Sequence, residues 1–460
     1  MSDLDKVLDH IDADLDAALE RLFATLRIRS ISTDPAYAGD CRACAEWHAA
    51  DLATIGFDAR VRVTAGHPVV VGHLRGEGPS ALFYGHYDVQ PVDPLELWET
   101  DPFEPRIVTR PDGAREIRAR GASDDKGQVM TFVEACRAWK AVTGKLPIGI
   151  TVLLEGEEES GGASLPPFLA ENAAELRADI GLVCDTGMRD SATPALTTTL
   201  RGLVGEEITI HAANRDLHSG AYGSAARNPN HVLARILADL HDDDGRVTIP
   251  GFYEGVPELP EALRRSWDKL DFSAADFLGE IGLSIPAGEA DRSVLEQIWA
   301  RPTAEVNGMG GGYQGAGFKT VIPAQASAKV SFRLVFDQEP EKVRAAFRDF
   351  VRARVPADCR VEFVEHGAAP AVAFDPTGPK FQAAAAALAE EWGRETALVG
   401  GGGSIPINTE FKDKLGLDVI LAGFALSDDR IHSPNEKYDL TSFHKGIRSW
   451  ARILDALSRT

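Results

Sequence analysis

Hydrophobic positions in the first half of the chain fall into two alternating patterns. ALFYGHYDV (residues 81–89) and IGITVLLEG (148–156) are continuous apolar runs, which is typical of strands buried on both faces of a sheet. Between them, the apolar residues of KGQVMTFVEACRAWKAV recur at helical intervals until Gly144 and Pro147. IGLVCD (180–185) predicts a further buried strand. Strands that alternate with helices in this way predict an α/β fold with a mostly parallel sheet flanked by helices.

The pattern changes near residue 197. TTLRGLVGEEITIHA alternates in the manner of a half-exposed strand, and NPNHVLARILADLHDD predicts an amphipathic helix. SAKVSFRLVF, PEKVRAAFRDFVRARV and CRVEFVEHG then predict a strand, a helix and a strand. We therefore predict a main α/β domain built from residues 1–196 and 370–460, with a smaller α+β domain inserted over residues 197–369.

Composition and charge narrow the possible functions. The 460 residues are 44% hydrophobic and 26% charged, as in globular proteins, and the net charge of −22 argues against nucleic-acid binding. The acidic, amphipathic N-terminus is unlike a secretion signal, and no apolar run approaches the roughly eighteen residues that cross a bilayer. Five scattered cysteines do not form a disulfide framework. These features predict a cytoplasmic protein with no membrane partner.

Acidic and histidine side chains collect where the predicted strands end. In an open α/β sheet, ligands bind at the carboxyl ends of the strands, so these side chains are expected to meet. Like charges gathered there need a compensating cation, and mixed histidine and carboxylate ligands suit zinc, with manganese or cobalt as alternatives. The side chains concerned are His86 and Asp88, Asp124 and Asp125, Glu155 to Glu159, Asp185, and His432 in IHSPNE.

Five of these residues are enough for a site that holds two divalent ions with one shared aspartate. They are His86, Asp124, Glu159, Asp185 and His432. Such a pair polarises a carbonyl group and lowers the pKa of a bridging water. One glutamate must stay unligated to take the proton of that water, and Glu158 is the natural candidate. Two simpler interpretations remain open: the glutamates form a solvated acidic loop, and Asp124 and Asp125 only cap the following helix.

Eight motifs occur in an order that resembles the M20 family of dinuclear metallopeptidases, and most of all its carnosinase-like, cytosolic nonspecific dipeptidase branch. They span residues 86 to 437, nearly the whole chain, and they read HYDVQPVDP, RGASDDKGQ, LEGEEESGG, DLHSG, KTVIP, SFRLV, GGSIP and IHSPNEK. The resemblance implies one metal bound by His86 and Asp185. It implies a second metal bound by Glu159 and His432, with Asp124 bridging the two.

The same resemblance implies further roles. Glu158 would be the general base, Asp88 would orient His86, and the Asp124–Asp125 peptide would be cis. His218 would reach across a homodimer, formed through the inserted lid domain, to stabilise the oxyanion in the other subunit. Arg333 would bind the terminal carboxylate of the substrate. Thr320 and Ser404 match polar substrate contacts, although the four glycines of GGGGSIPIN depart from the family's usual loop.

These residues predict hydrolysis of dipeptides or other short peptides with a free terminal carboxylate. An alternative within the same chemistry is a deacylase that acts on N-acyl or N-carbamoyl amino acids. A protein of another class, which keeps the fold and binds without catalysis, would lack a ligand or the base. Every expected position is filled in this sequence.

Overall fold

The computed structural model of the protein describes residues 1–403 and 407–460, apart from the side chain of residue 262. The chain divides into two compact units. The larger unit comprises Met1–Thr198, Phe374–Val399 and Glu410–Thr460, and the inserted unit comprises Thr199–Ala373 and Gly400–Thr409. The grouping of residues 400–409 with the inserted unit differs from the sequence prediction, which placed them in the main domain. A glycine-rich segment carries no apolar pattern that would show which core it packs against.

The helices begin and end largely where local sequence signals place them. For example, the fourth helix follows Asp125 and ends at Gly144, whose φ of +78° is a left-handed conformation that suits glycine. The described α-helices are α1 (Asp3–Ala13), α2 (Leu15–Leu26), α3 (Ala38–Ile55), α4 (Lys126–Thr143), α5 (Leu165–Asn172), α6 (Ser219–Tyr222), α7 (Pro229–Ala238), α8 (Glu261–Asp268), α9 (Ala274–Gly279), α10 (Val294–Trp299), α11 (Pro340–Arg352), α12 (Pro379–Trp392), α13 (Ile407–Glu410) and α14 (Leu440–Leu457).

The strands include each of the buried runs that the sequence analysis predicts. They are β1 (Asp58–Arg62), β2 (Val69–Leu74), β3 (Ser80–His86), β4 (Arg106–Thr109), β5 (Arg115–Arg118), β6 (Gly149–Glu155), β7 (Ile180–Val183), β8 (Ala195–Leu200), β9 (Gly202–His211), β10 (Leu217–His218), β11 (Thr303–Gly311), β12 (Val321–Ile322), β13 (Gln325–Leu334), β14 (Arg360–Ala369), β15 (Val372–Ala373), β16 (Ala397–Gly401), β17 (Val419–Leu421) and β18 (Lys437–Asp439).

The larger unit is built on a sheet with the strand order β1-β2-β6-β3-β7-β17-β8. The four central strands, β6, β3, β7 and β17, run parallel, and the flanking strands are antiparallel. Phe132 of α4 stacks on Phe83 of β3 with ring centroids 3.7 Å apart, and Trp450 of α14 packs edge-on against both rings. The structure therefore confirms the α/β class with a mostly parallel central sheet.

The inserted unit contains a four-stranded antiparallel sheet in the order β11-β13-β9-β14. Helix α7 follows β9 along the chain and α11 follows β13, which is the ferredoxin-like arrangement. Buried side chains of β9 and β13 alternate with half-exposed ones, so one face of this sheet carries the apolar core. Among the described residues, no helix is long and apolar enough to cross a membrane.

Candidate metal centre

The carboxyl ends of three parallel strands bring predicted site residues to one edge of the sheet. His86 ends β3 and lies directly opposite Glu155, the last residue of β6, in the parallel register. Asp185 follows β7, separated from it by one residue. Because all three strands run in the same direction, their ends place a histidine and several acids side by side.

Asp124 lies at the centre of this group and faces two histidines at once. Its Oδ1 is 3.1 Å from Nε2 of His86, and its Oδ2 is 2.9 Å from Nε2 of His432. The two carboxylate oxygens therefore point toward different imidazoles, as a bridging ligand requires. Asp124 precedes α4, and its peptide bond to Asp125 is cis, as expected from the sequence.

The five predicted ligands form two groups that share Asp124. One contains His86, Asp124 and Asp185, and the other contains Asp124, Glu159 and His432, with the ligand atoms of each group within 4.8 Å of one another. Zinc bound tetrahedrally at about 2.0–2.1 Å from each ligand places the ligand atoms about 3.3 Å apart. The separations of 2.9 and 3.1 Å on Asp124, and of 3.3 Å between His432 Nε2 and Glu159 Oε2, fit that geometry.

The pKa shifts of these clustered acids and histidines also favour a positive charge at the site. Burial, with repulsion from Asp124 and Asp125, raises the pKa of Asp185 well above its usual range. Burial alone would lower the pKa of His86 and raise that of Asp124. The hydrogen bonds that join Asp124 to the two histidines outweigh burial, so the pKa of His86 is raised and that of Asp124 is lowered. Hydrogen bonds to Asp124 and Glu159 raise the pKa of His432 to about 10. Acids this close together fit divalent cations as their partners.

Glu158 belongs to neither ligand group and lies beside both. It begins a 3₁₀ turn, Glu158–Ser160, which starts after a two-residue connection from the end of β6. Burial raises its pKa to about 7, with further repulsion from Glu159 and Asp124. A carboxylate with a pKa near neutrality can both accept and return a proton, which is the property a general base needs.

Asp88 joins the two strand ends that carry the histidine and the glutamates. It is fully buried, and its Oδ2 accepts hydrogen bonds from Ser32 Oγ at 2.6 Å and from the Glu159 N–H at 3.0 Å. Its Oδ1 accepts from the Glu158 N–H at 3.3 Å and lies 3.4 Å from His86 Nδ1. Asp88 therefore holds the His86 ring and the backbone of both glutamates in one network.

Two residues that the sequence analysis did not single out also contact this network. Ser32 donates to Asp88, as described above, and Gln90 donates from Nε2 to Glu159 Oε2 at 2.7 Å. Gln90 belongs to the motif HYDVQPVDP, two residues after Asp88, and this position could have indicated that Gln90 contacts the site. Ser32 lies in a short polar segment before α3, where nothing in the local pattern indicates a long-range contact.

Three further predicted residues, His218, Thr320 and Arg333, lie in the inserted unit. His218 ends β10, is exposed, and accepts a hydrogen bond at Nδ1 from the Gly220 N–H. Thr320 is exposed, and its carbonyl accepts a hydrogen bond from the Ser219 N–H, which places it beside His218. Arg333 is half-buried near the far end of β13. Ser404 lies outside the described residues.

Comparisons with known proteins identify the family of this chain. Residues 82–456 match the model of peptidase family M20/M25/M40. The Cys-Gly metallodipeptidase DUG1 of Candida albicans is 31% identical, over 94% of this chain and 92% of that protein. The solved structure of the dipeptidase Dug1p from Saccharomyces cerevisiae is 27% identical, with a TM-score of 0.83. The structure of human carnosine dipeptidase 1 is 25% identical, with a TM-score of 0.82. Each structural match covers 100% of both chains.

The fold and the acidic site define a metallopeptidase class of enzyme, built on an α/β domain with side chains that could hold divalent metals. The chain belongs to peptidase family M20/M25/M40. The predicted resemblance to M20 metallopeptidases, and to their carnosinase-like and dipeptidase members, is confirmed by these matches.

Proposed function

We propose that the protein hydrolyses the amide bond of dipeptides, or of similar short peptides with a free terminal carboxylate. The observation that carries this proposal is the pair of ligand groups that share Asp124. Support comes from the family match and from relatives that are named as dipeptidases.

We propose two divalent ions per subunit, with zinc preferred and manganese or cobalt as alternatives. His86 and Asp185 would hold one ion, Glu159 and His432 the other, and Asp124 both. The mixture of two imidazoles and three carboxylates suits zinc, and the spacing of the ligand atoms supports this choice. When bound, the ions would supply polarisation of the scissile carbonyl and a lowered pKa for the attacking water.

The residues around the ligands would carry the proton transfers. Glu158 takes the proton of the attacking water and then delivers it to the leaving nitrogen, which departs as an amine. Its place beside the ligands, outside both groups, supports this role. Asp88 keeps the His86 ring oriented through its backbone carbonyl, 3.1 Å from Nδ1, and through its carboxylate, 3.4 Å from Nδ1.

We propose that a second copy of the chain completes the substrate site. Arg333 is eight positions beyond Gln325 along β13, and a strand of that length covers roughly 27 Å. His218 and Thr320 lie beyond the Gln325 end, where Asp216 accepts a hydrogen bond from the Ala324 N–H. A dipeptide spans only about 7 Å. This separation supports the proposal that Arg333 and His218 reach one substrate from two different subunits.

In the proposed homodimer, Arg333 binds the terminal carboxylate of a dipeptide, while the partner's His218 stabilises the oxyanion and the partner's Thr320 provides a polar contact. We also propose Ser404 as a further polar contact, because it belongs to the GGSIP motif. A mixture of His218→Ala and Arg333→Ala subunits tests this arrangement. Each variant alone should be inactive. A random mixture of the two subunits should regain about a quarter of the wild-type activity, and isolated mixed dimers about a half. Absence of any recovery in dimers shown to be mixed would contradict action across the interface.

A deacylase that cleaves N-acyl or N-carbamoyl amino acids remains the second candidate, because the same centre would serve it. Purified protein should be assayed with a panel of dipeptides and with acetyl-, succinyl- and carbamoyl-amino acids. We expect turnover of dipeptides. Turnover of acyl or carbamoyl compounds alone would replace the dipeptidase proposal with the deacylase.

Replacement of the proposed base provides the sharpest test of mechanism. Glu158→Gln should lower kcat by several orders of magnitude, because both proton transfers pass through this carboxylate. Metal content should stay at the wild-type level, since Glu158 is outside both ligand groups. Full activity in this variant would place the base elsewhere.

We also propose a cytoplasmic location. All five cysteines are free thiols and four of them are buried, which suits a reducing compartment. Fractionation of cells that express the protein, followed by detection in the soluble fraction, tests this.

A further inference from the structure

Glu436 is a buried carboxylate next to the metal centre that takes no part in either ligand group. Its Oε2 accepts hydrogen bonds from Arg120 Nη1 at 2.7 Å and from the Gly121 N–H at 2.9 Å. Its Oε1 accepts from the N–H groups of Ser123 at 2.9 Å and Asp124 at 3.1 Å. Four donors use the whole accepting capacity of a carboxylate. Glu436 therefore has no lone pair left for a metal ion.

These hydrogen bonds join two segments that are far apart in the sequence. The donors belong to the turn between β5 and α4, which contains the shared ligand Asp124. Glu436 belongs to the segment between β17 and β18, four residues after His432. Asp124 and His432 are 308 positions apart in the chain, yet their side chains approach to 2.9 Å. Glu436 thus connects the backbones on which both ligands are mounted.

The backbone around His432 needs such support. Arg430, His432 and Asn435 have φ angles of 56°, 61° and 63°, in the left-handed region that residues other than glycine rarely adopt. Conformations of this kind persist where surrounding contacts hold them. Asn435 is held by the Glu99 N–H and by the Leu97 carbonyl, at 2.8 and 2.9 Å. Glu436 provides the adjacent attachment, and it is the one that leads directly to Asp124.

We propose that Glu436 is a positioning residue for the metal centre. By holding the turn before Asp124 against the segment that follows His432, it sets the distance between the shared carboxylate and the second imidazole. The site is thereby formed before a metal ion arrives, and less of the binding free energy is lost in ordering the ligands. This inference rests on the proposed metal site and adds a residue outside the ligand set.

Glu436→Gln keeps the size of the side chain but replaces one acceptor oxygen with an NH₂ group. That group then faces two donors, whichever way the amide is turned. Titration of metal-free protein with Co²⁺, followed by visible absorption and by calorimetry, measures the effect. We expect roughly 10–100-fold weaker binding, the size usual for residues that orient metal ligands. The cobalt spectrum should also change, because the angle between Asp124 and His432 is altered.

A matched control separates positioning from general loss of stability. Glu134 is another buried carboxylate of the same unit, and it accepts hydrogen bonds from Arg21 and Arg137 instead of from a ligand-bearing segment. Glu134→Gln should lower the melting temperature of the metal-free protein and leave cobalt affinity and spectrum at wild-type values.

A second pair of variants serves if Glu436→Gln does not fold. Arg120→Met removes the guanidinium but leaves three backbone N–H donors on Glu436, so cobalt affinity should stay within about threefold of wild type. Arg120→Met/Glu436→Gln removes the buried charges together, which costs less folding stability than leaving one unpaired. The double variant should bind cobalt 10–100-fold more weakly than Arg120→Met.

The outcomes distinguish this inference from the proposal beneath it. Wild-type cobalt affinity and an unchanged spectrum in Glu436→Gln, or in the double variant compared with Arg120→Met, would overturn the positioning role. An equal loss of affinity in Glu134→Gln would also overturn it, because the effect would then follow stability alone. Failure of the wild-type protein to bind cobalt at all would instead remove the metal site itself.

Discussion

Asp88→Asn is the substitution whose consequences follow most directly from the geometry of the site. The amide group has one acceptor oxygen in place of two. The less costly orientation puts the NH₂ group at the Oδ2 position, since Ser32 can then rotate its hydroxyl and accept a hydrogen bond there. The Glu159 N–H, which donates to Oδ2 at 3.0 Å, loses its acceptor inside the protein.

A fully buried donor without a partner costs about 1–3 kcal/mol, and the Glu159 N–H is only partly buried, so the free energy of unfolding of the metal-free protein should fall by about 1 kcal/mol. His86 also loses its anionic neighbour at Nδ1, and metal affinity should fall by about 10–100-fold. Urea unfolding of the metal-free protein and calorimetric titration with Zn²⁺ measure the two effects. As a control, Asp51→Asn weakens a partly buried contact with Arg137 and should change stability without changing metal affinity.

Ser32→Ala completes a double-mutant cycle with Asp88→Asn. In the wild-type protein Ser32 donates to a charged carboxylate, a hydrogen bond worth about 1.5–3 kcal/mol, and in the variant its partner is neutral. Ser32→Ala should therefore destabilise Asp88→Asn by about 1 kcal/mol less than it destabilises the wild type. Strictly additive losses, or an Asp88→Asn protein with wild-type stability and metal affinity, would refute this account of the network.

Three further predictions concern the metal, pH and the core. Chelation should abolish activity and lower the melting temperature, because the clustered acids lose their counterions; scanning calorimetry with zinc added back should show recovery. Burial lowers the pKa of His48 to about 3, so its contribution to stability is complete above pH 6.5 and is lost as pH falls, by roughly 2 kcal/mol at pH 5. Urea unfolding of His48→Gln at pH 7 and 5 should show a smaller difference than wild type. Phe132→Ala should cost about 3–5 kcal/mol in the same assay, since Phe132 is fully buried between Phe83 and Trp450.

The apolar pattern was sufficient to predict the central strands and the helix that packs on them. Continuous runs before His86 and Glu155 became β3 and β6, and the helical pattern between them became α4. Local sequence determines these elements, because a strand covered on both faces has no polar positions. The parallel direction of the strands then made it possible to expect His86, Glu159 and Asp185 at one edge.

Other features depend on contacts that no local pattern records. TTLRGLVGEEITIHA read as one strand, but the structure breaks it at Arg201 into β8 and β9. The contacts of Ser32 with Asp88 and of Glu436 with Asp124 join residues 56 and 312 positions apart. A single sequence shows that each of these side chains is polar, and only the folded chain shows which partner it meets.

The larger unit is discontinuous, and this has a consequence for its synthesis on the ribosome. Strand β7 gains its parallel neighbour β17 only after the chain has been extended from Val183 to Val419, which at about 5–20 residues per second takes roughly ten to fifty seconds. Over that interval the nascent polypeptide displays an unpaired apolar edge, together with a helix α4 that still lacks the cover of α14. Chaperones that shield such edges on emerging chains should therefore raise the yield of this enzyme more than that of proteins whose sheets form from consecutive segments.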